Sequence, residues 1–224
     1  MPATQARVYE AARQNALECL KNRGSPLFDM LRQLTILRRI ACHPFLEAES
    51  PDPLDSGKFE YLDAKLVELS IASEGVLIFS QYTSVLKVLM ALMKHRGIDP
   101  YYLDGKTSAK ERRELVSRFQ EGGAKFFLIS LKAGGTALTL TRADTVIHLD
   151  PWWNPAVENQ ATDRAHRIGQ KKKVIVYKLV SEGTVEEKVL TLQGMKRELF
   201  DAVIDAKNAR NKKITTEDIA ALLQ

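Results

Sequence analysis

The sequence predicts an α/β fold, a parallel sheet with helices on both faces, and three observations carry the prediction. The apolar runs Val76–Ser80, Phe126–Ser130, Thr145–Asp150 and Val174–Val180 are short and nearly continuous rather than alternating, as in strands covered on both faces. Helical patterns separate the early strands, which implies right-handed crossovers and parallel pairing. Polar and glycine-rich segments follow strand after strand, at the carboxyl ends where open parallel sheets bind ligands.

Taken in order, residues 4–22 are rich in Ala, Arg, Glu and Leu and read as a helix, broken by Gly24 and Pro26. Leu27, Met30, Leu31, Leu34, Leu37 and Ile40 recur at helical spacing until Pro44 ends the run, and Arg38 and Arg39 fall on what reads as a solvated face, one that could also approach a bound strand. Residues 47–57, with Pro51, Pro53 and Gly57, read as a linker. A helix over 58–72 precedes the strand Val76–Ser80, a helix over Ser84–His95 precedes a strand near Ile98–Leu103, and Ser108-Ala-Lys-Glu111 is a capping box for a helix to Gln120. After the strands Phe126–Ser130 and Thr145–Asp150, residues 154–170 read as one helix. Asn154 is its N-cap, Pro155 its first residue and Gly169 its left-handed stop. Thr184-Val-Glu-Glu187 caps a long helix to about Ala206. The basic break Lys207–Lys213 leads to a last short helix near Thr216–Leu223.

A chain of 224 residues, 45% hydrophobic and 27% charged, has the composition of a soluble globular protein. The net charge of +5 favours an anionic partner only mildly. Cys19 and Cys42 are too few and too far apart for a disulfide scaffold, which points to a reduced, intracellular setting. Cys42 beside His43 lacks the further ligands a zinc site needs, so no metal site is expected. No apolar run is long enough to span a bilayer, so no membrane partner is expected either.

Four polar segments, Ser80-Gln81, Asp104-Gly105, Ser130–Gly135 and Asp150–Asn154, end strands, and the helix over 154–170 adds further candidate chemistry. Gln160, Asp163, Arg164 and Arg167 recur at spacings of three and four, so a helix would place them on one face, its two guanidinium groups forming a permanently charged fork suited to phosphate oxygens. A helix-end ion-pair cluster would use the same residues. Ser130-Leu-Lys-Ala-Gly-Gly135 sets a hydroxyl, the Lys132 amine and two glycines after a strand, which suits phosphate contact or an ordinary strand-to-helix turn. Trp152 and Trp153 are adjacent on a loop; one can pack inward while the other stacks on a base or sugar. Asp104-Gly105-Lys106-Thr107 ends like a phosphate-binding loop, but Pro100 stands where its first glycine belongs. No other segment supplies that loop or an acidic pair for magnesium, so the chain carries half a nucleotide site.

Six segments occur in a recognisable order. They are Leu37-Arg-Arg-Ile-Ala-Cys-His-Pro44, Val76-Leu-Ile-Phe-Ser-Gln-Tyr82, Tyr102-Leu-Asp-Gly-Lys-Thr107, Leu128-Ile-Ser-Leu-Lys-Ala-Gly-Gly135, Thr145-Val-Ile-His-Leu-Asp-Pro-Trp-Trp-Asn-Pro155 and Gln160-Ala-Thr-Asp-Arg-Ala-His-Arg-Ile-Gly-Gln170. Together they closely resemble the C-terminal motor lobe of the Swi/Snf family of DNA translocases, in a bacterial-type version. The resemblance implies a RecA-like three-layer fold, with a helical protrusion over residues 1–50, the lobe itself over 51–183, and a brace helix and tail over 184–224. It implies an ATPase that moves along double-stranded DNA and uses ATP with magnesium, held mainly by a first RecA-like lobe in cis or in trans. Arg164 and Arg167 are then the catalytic arginines, Arg167 the main finger, and Gln160, Asp163 and Gly135 join them in facing the nucleotide. Gln81, Asp104, Gly105, Lys106, Ser130, Lys132, Ala133 and Gly134 match segments that hold the DNA backbone, and Trp153 matches a tryptophan set against DNA. The family pattern after Gly135 is Thr-Gly-Leu-Asn-Leu; here it is Thr136-Ala-Leu-Thr-Leu140, so Ala137 and Thr139 bear on how DNA is coupled to ATP.

Two functions from different classes follow. One is the C-terminal lobe of a DNA-stimulated translocase acting on a DNA-bound protein complex, inactive without its first lobe. The other is a non-catalytic nucleic-acid-binding or regulatory module. The expected location is the cytoplasm with the nucleoid, or the nucleus in a eukaryote.

Overall fold

A computed structural model describes residues 1–21, 27–48, 52–133, 138–191 and 193–194, which form two compact units. One unit spans Lys58–Val180; the other comprises Met1–Gly57 with the chain from Ser181 onward. The expected helix near Thr216–Leu223, the brace helix beyond 194 and the segment Gly134–Ala137 lie outside the described residues.

The larger unit contains α3 (Gly57–Ala72), β1 (Val76–Ser80), α4 (Thr83–His95), β2 (Tyr101–Leu103), α5 (Ala109–Gln120), β3 (Phe126–Ser130), β4 (Thr145–His148), α6 (Pro155–Thr162) and β5 (Ile175–Lys178). All strands are parallel, in the order β2-β3-β1-β4-β5. The parallel α/β sheet expected from the apolar runs is therefore the one observed, and it agrees with the RecA-like fold that the resemblance implied. β1 and β3 are buried along their whole length, and Ser80 lies in register with Ser130. Leu77, Phe79, Phe119, Phe127, Ile129, Leu140 and Val146 lie at the heart of one apolar cluster. Burial of several such side chains, each worth about 1.5–3 kcal/mol relative to exposure, drives the sheet and its helices together.

The outermost strand departs from expectation. β5 is an edge strand, with Ile175 at 49% and Val176 at 39% exposure, so its continuous apolar run does not mark a strand covered on both faces. α5 starts as its sequence predicts, with Ser108 Oγ accepting from Glu111 N at 3.2 Å.

In the smaller unit, α1 (Ala3–Lys21) and α2 (Leu27–Cys42) are joined through the buried Gln5, whose Nε2 donates to the carbonyls of Ile40 and Ala41 at 2.8 and 3.1 Å. Arg38 is buried, and Arg39 pairs with Glu47 at 2.7 Å and donates to Leu46 O; the two do not form a solvated face. His43 caps the single turn Pro44–Leu46 through Nδ1, and its Nε2 lies 2.9 Å from Pro53 O. A neutral ring with its proton on Nε2 serves both bonds, and burial lowers its pKa accordingly. Residues 185–191 are helical, started by Thr184 Oγ1 accepting from Glu186 N and by Glu187 reaching back to Gly183 N at 3.0 Å. Tyr9 Oη accepts from Val185 N at 2.8 Å and ties this helix start to α1.

Candidate nucleotide and DNA site

Parallel pairing brings the carboxyl ends of the strands of the larger unit to one edge, and a buried carboxylate holds that edge together. Asp150, 1% exposed, accepts from Ser80 Oγ and from Gln81 N, at 3.3 and 3.4 Å to its two oxygens. Ser80 Oγ in turn accepts from Tyr82 N at 3.0 Å, and the buried Lys58 Nζ donates to Leu149 O at 2.7 Å. The ends of β1 and β4 are thereby locked to each other. The sequence set Asp150 at a strand end but gave it no role; the signal for one was a carboxylate closing an apolar run, a residue type that stays buried only when hydrogen-bonded.

Around this edge the expected DNA-facing residues divide into exposed and buried. Lys106 and Gly105 are exposed on a turn that Asp104 organises: its carboxylate accepts from Lys106 N and Tyr102 Oη, both at 2.8 Å, and its N–H donates to Thr107 Oγ1. Burial pushes the Asp104 carboxyl up, but these hydrogen bonds outweigh it and hold the group below its ordinary value. Asp104 shapes the turn, because a carboxylate already committed to N–H and O–H donors is no ligand for a phosphate. Lys132 is exposed, whereas Ser130 and Ala133 are buried at 1% and 5%. The Ala133 carbonyl accepts from Arg112 Nη1 at 3.1 Å, so Arg112 braces the 131–133 turn from α5. Gln81 is half-buried, and Gly134 and Gly135 lie outside the described residues. Trp152 packs on the apolar cluster, and Trp153 is half-buried.

The arginine segment corrects the sequence-based helix. α6 ends at Thr162, with Asp163 as its C-cap, and residues 163–169 continue as turns. Tertiary competition explains the early stop. The Arg164 carbonyl accepts from Leu140 N at 2.9 Å and the Ala165 carbonyl lies within reach of Gln170 Nε2, so neither serves a continuing helix. Gly169 does adopt a positive φ of 106°, but it closes a turn rather than a helix.

The two arginines consequently have different surroundings. Arg164 is 5% exposed, and burial, followed by the charge of Arg112, lowers its pKa; a guanidinium stays protonated nonetheless. Arg167 is exposed, and its Nη1 donates to Thr139 Oγ1 at 3.0 Å. Gln160 and Asp163 are also exposed. The solvent-facing fork expected on one helix face is thus a single outward guanidinium, with the other held inside.

On the inner side of α6 lies a polar cluster that sequence reasoning did not foresee. Glu158, 1% exposed, accepts from Trp152 N and from Lys178 Nζ, both at 2.5 Å. His148 Nε2 lies 3.0 Å from Thr162 Oγ1, and burial lowers the His148 pKa to about 4 despite the nearby Glu158 charge.

The profile of the helicase conserved C-terminal domain matches residues 57–169, half of the chain. The C-terminal domain of the Sulfolobus solfataricus SWI2/SNF2 ATPase is 31% identical, with a TM-score of 0.71, and the match covers 99% of this chain and 93% of that one. The chain belongs to the helicase C-terminal family, as a Swi/Snf C-terminal lobe. The same archaeal ATPase core, solved in complex with double-stranded DNA, matches with a TM-score of 0.76 at 33% identity, over 99% of this chain and 48% of that core. The putative ATP-dependent helicase/translocase YwqA of Bacillus subtilis is 39% identical over 93% of this chain and 23% of its own length. The human chromatin-remodeling ATPase INO80 is 42% identical over 75% of this chain and 11% of its own length. This Swi/Snf lobe therefore spans a quarter or less of those curated relatives. Among its described residues no group of three or more His, Cys, Asp or Glu is arranged to hold a metal ion.

Proposed function

We propose that the chain is the C-terminal lobe of an ATP-driven translocase on double-stranded DNA. A first RecA-like lobe, in cis or in trans, holds ATP with magnesium. This lobe supplies Arg167 to the phosphates, while Gln81, Gly105, Lys106, Lys132, Gly134 and Trp153 face the duplex. The observation that carries the reading is the exposed Arg167, displayed on a turn whose base is fixed to the core through Leu140 and Gln170. A guanidinium pre-positioned in this way stabilises charge on a transferring phosphoryl group and is worth on the order of 10³–10⁵ in rate. Buried Arg164 contributes from behind, as a fixed positive charge beside Arg112. The resemblance adds Gln160, Asp163 and Gly135 to the nucleotide side and places the protein with the nucleoid, or in a nucleus, where it acts on a DNA-bound protein complex.

The test compares the chain alone with a two-lobe polypeptide that restores a nucleotide-cradling first lobe. The chain alone hydrolyses no ATP with or without DNA. In the two-lobe protein Arg167→Ala abolishes DNA-stimulated hydrolysis while nucleotide affinity stays within a few-fold. Wild-type turnover by that variant refutes the finger, whereas a two-lobe protein that binds DNA but hydrolyses no ATP favours a second reading, a non-catalytic nucleic-acid-binding module, with which the burial of Arg164 already accords.

A further inference from the structure

Segments 138–143 and 164–170 are stitched together by hydrogen bonds. Leu140 N donates to Arg164 O at 2.9 Å, and Gln170 Nε2 donates to Thr141 O and Ala143 O, both at 2.8 Å. Gln170 Oε1 also accepts from Lys172 N at 2.8 Å, so this side chain clamps the far end of the turn on both sides. Leu138, Leu140 and Ala143 are buried in the apolar cluster, which makes the first segment a fixed platform. From that platform the turn displays Arg167 and the almost fully exposed Ile168. One platform side chain reaches outward to the displayed guanidinium: exposed Thr139, whose Oγ1 accepts from Arg167 Nη1.

We infer that Thr139 is a positioning residue for Arg167, selecting through one hydrogen bond the rotamer in which the guanidinium meets nucleotide phosphate. An arginine head on a long flexible stem loses much rotamer freedom when it must act at one point. A hydroxyl on a core-anchored segment removes part of that freedom before the nucleotide arrives, as pre-organisation requires. The same segment follows the 131–133 turn that carries Lys132, so one stretch of chain joins the proposed DNA contact to the proposed finger. The inference rests on the finger reading, and its test separates the two.

In the two-lobe polypeptide, Thr139→Val removes the acceptor at nearly constant volume, Thr139→Ser retains it, and Arg167→Ala serves as the reference. Turnover is measured at saturating double-stranded DNA. With Thr139→Val, kcat falls about three- to ten-fold while the KM for ATP stays within about two-fold, the signature of an interaction expressed in the transition state. Thr139→Ser stays within about two-fold of wild type. Because Thr139 is exposed, the unfolding midpoint of Thr139→Val is unchanged, which sets aside a merely structural effect. If Arg167→Ala is inactive and Thr139→Val keeps wild-type kcat, the Thr139 inference falls and the finger stands. Equal impairment of the serine and valine variants also overturns it, because the hydroxyl is then not the operative group. If Arg167→Ala keeps full turnover, both readings fail together.

Discussion

Lys178→Met tests whether the buried Glu158 carboxylate depends on its ion pair. Glu158, a residue of α6, sits at 1% exposure with two donors at 2.5 Å, the Trp152 amide and the Lys178 ammonium. Removing one partner of a buried pair typically costs about 3–5 kcal/mol, because a desolvated charge is left uncompensated. Two features reduce that figure here. The Trp152 amide remains, and the Lys178 side chain is 38% exposed, so water reaches the vacated position. An expected loss is therefore about 2–3 kcal/mol, or roughly 5–10 °C in Tm for a chain of this size. The assay is urea unfolding followed by tryptophan fluorescence. Both tryptophans of the protein, Trp152 and Trp153, lie in the Lys58–Val180 unit, so the signal reports that unit. The midpoint should fall with the slope unchanged. Glu158→Gln combined with Lys178→Met should recover part of the loss, since a neutral amide is left without a charge to compensate. A loss below about 0.5 kcal/mol, the range of an ordinary surface substitution, would show that Glu158 has no need of the lysine.

Three further outcomes are expected. Burial depresses the His148 pKa from 6.5 to about 4, so the folded state binds fewer protons than the unfolded chain. Stability is then complete above pH 6.5 and is lost as pH falls toward 4, by up to roughly 3 kcal/mol at 1.36 kcal/mol per unit. His148→Gln should flatten that part of the stability–pH curve, and an unchanged curve would disprove the assignment; the buried His43 acts in the same direction and remains in the variant. For exposed Lys132, substitution by Ala should weaken DNA binding uniformly across sequences and lower the slope of log affinity against log salt by about one. The same slope in both proteins would make the 131–133 turn a structural connection and nothing more.

The fold was legible because buried strands have a plain sequence signature. Val76–Ser80 and Phe126–Ser130 are buried end to end, as their unbroken apolar composition indicates. The same signature misled at Ile175–Lys178, because composition does not distinguish a central strand from the edge where the sheet stops. Capping was local enough to read: Asn154 Oδ1 accepts from Ala156 N at 3.1 Å and Ser108 Oγ accepts from Glu111 N. Where α6 stops was not, since Leu140 N takes the Arg164 carbonyl from across the fold.

Within the site, the sequence by itself determined which chemistry is present: two permanently charged guanidinium groups, a lysine and glycines after a strand, and no phosphate-cradling loop or magnesium pair in the same chain. Residue types and short spacings are enough for that, because charge and hydrogen-bonding capacity belong to the side chains. Only the tertiary structure decided the deployment. Arg164 was turned inward beside Arg112, Arg167 was left facing solvent on Thr139, Asp150 was set to bind the ends of β1 and β4, and Glu158 was buried against Lys178. Each outcome depends on groups far apart in sequence meeting where water is partly or wholly excluded, and desolvation acts on the place a group occupies rather than on its identity.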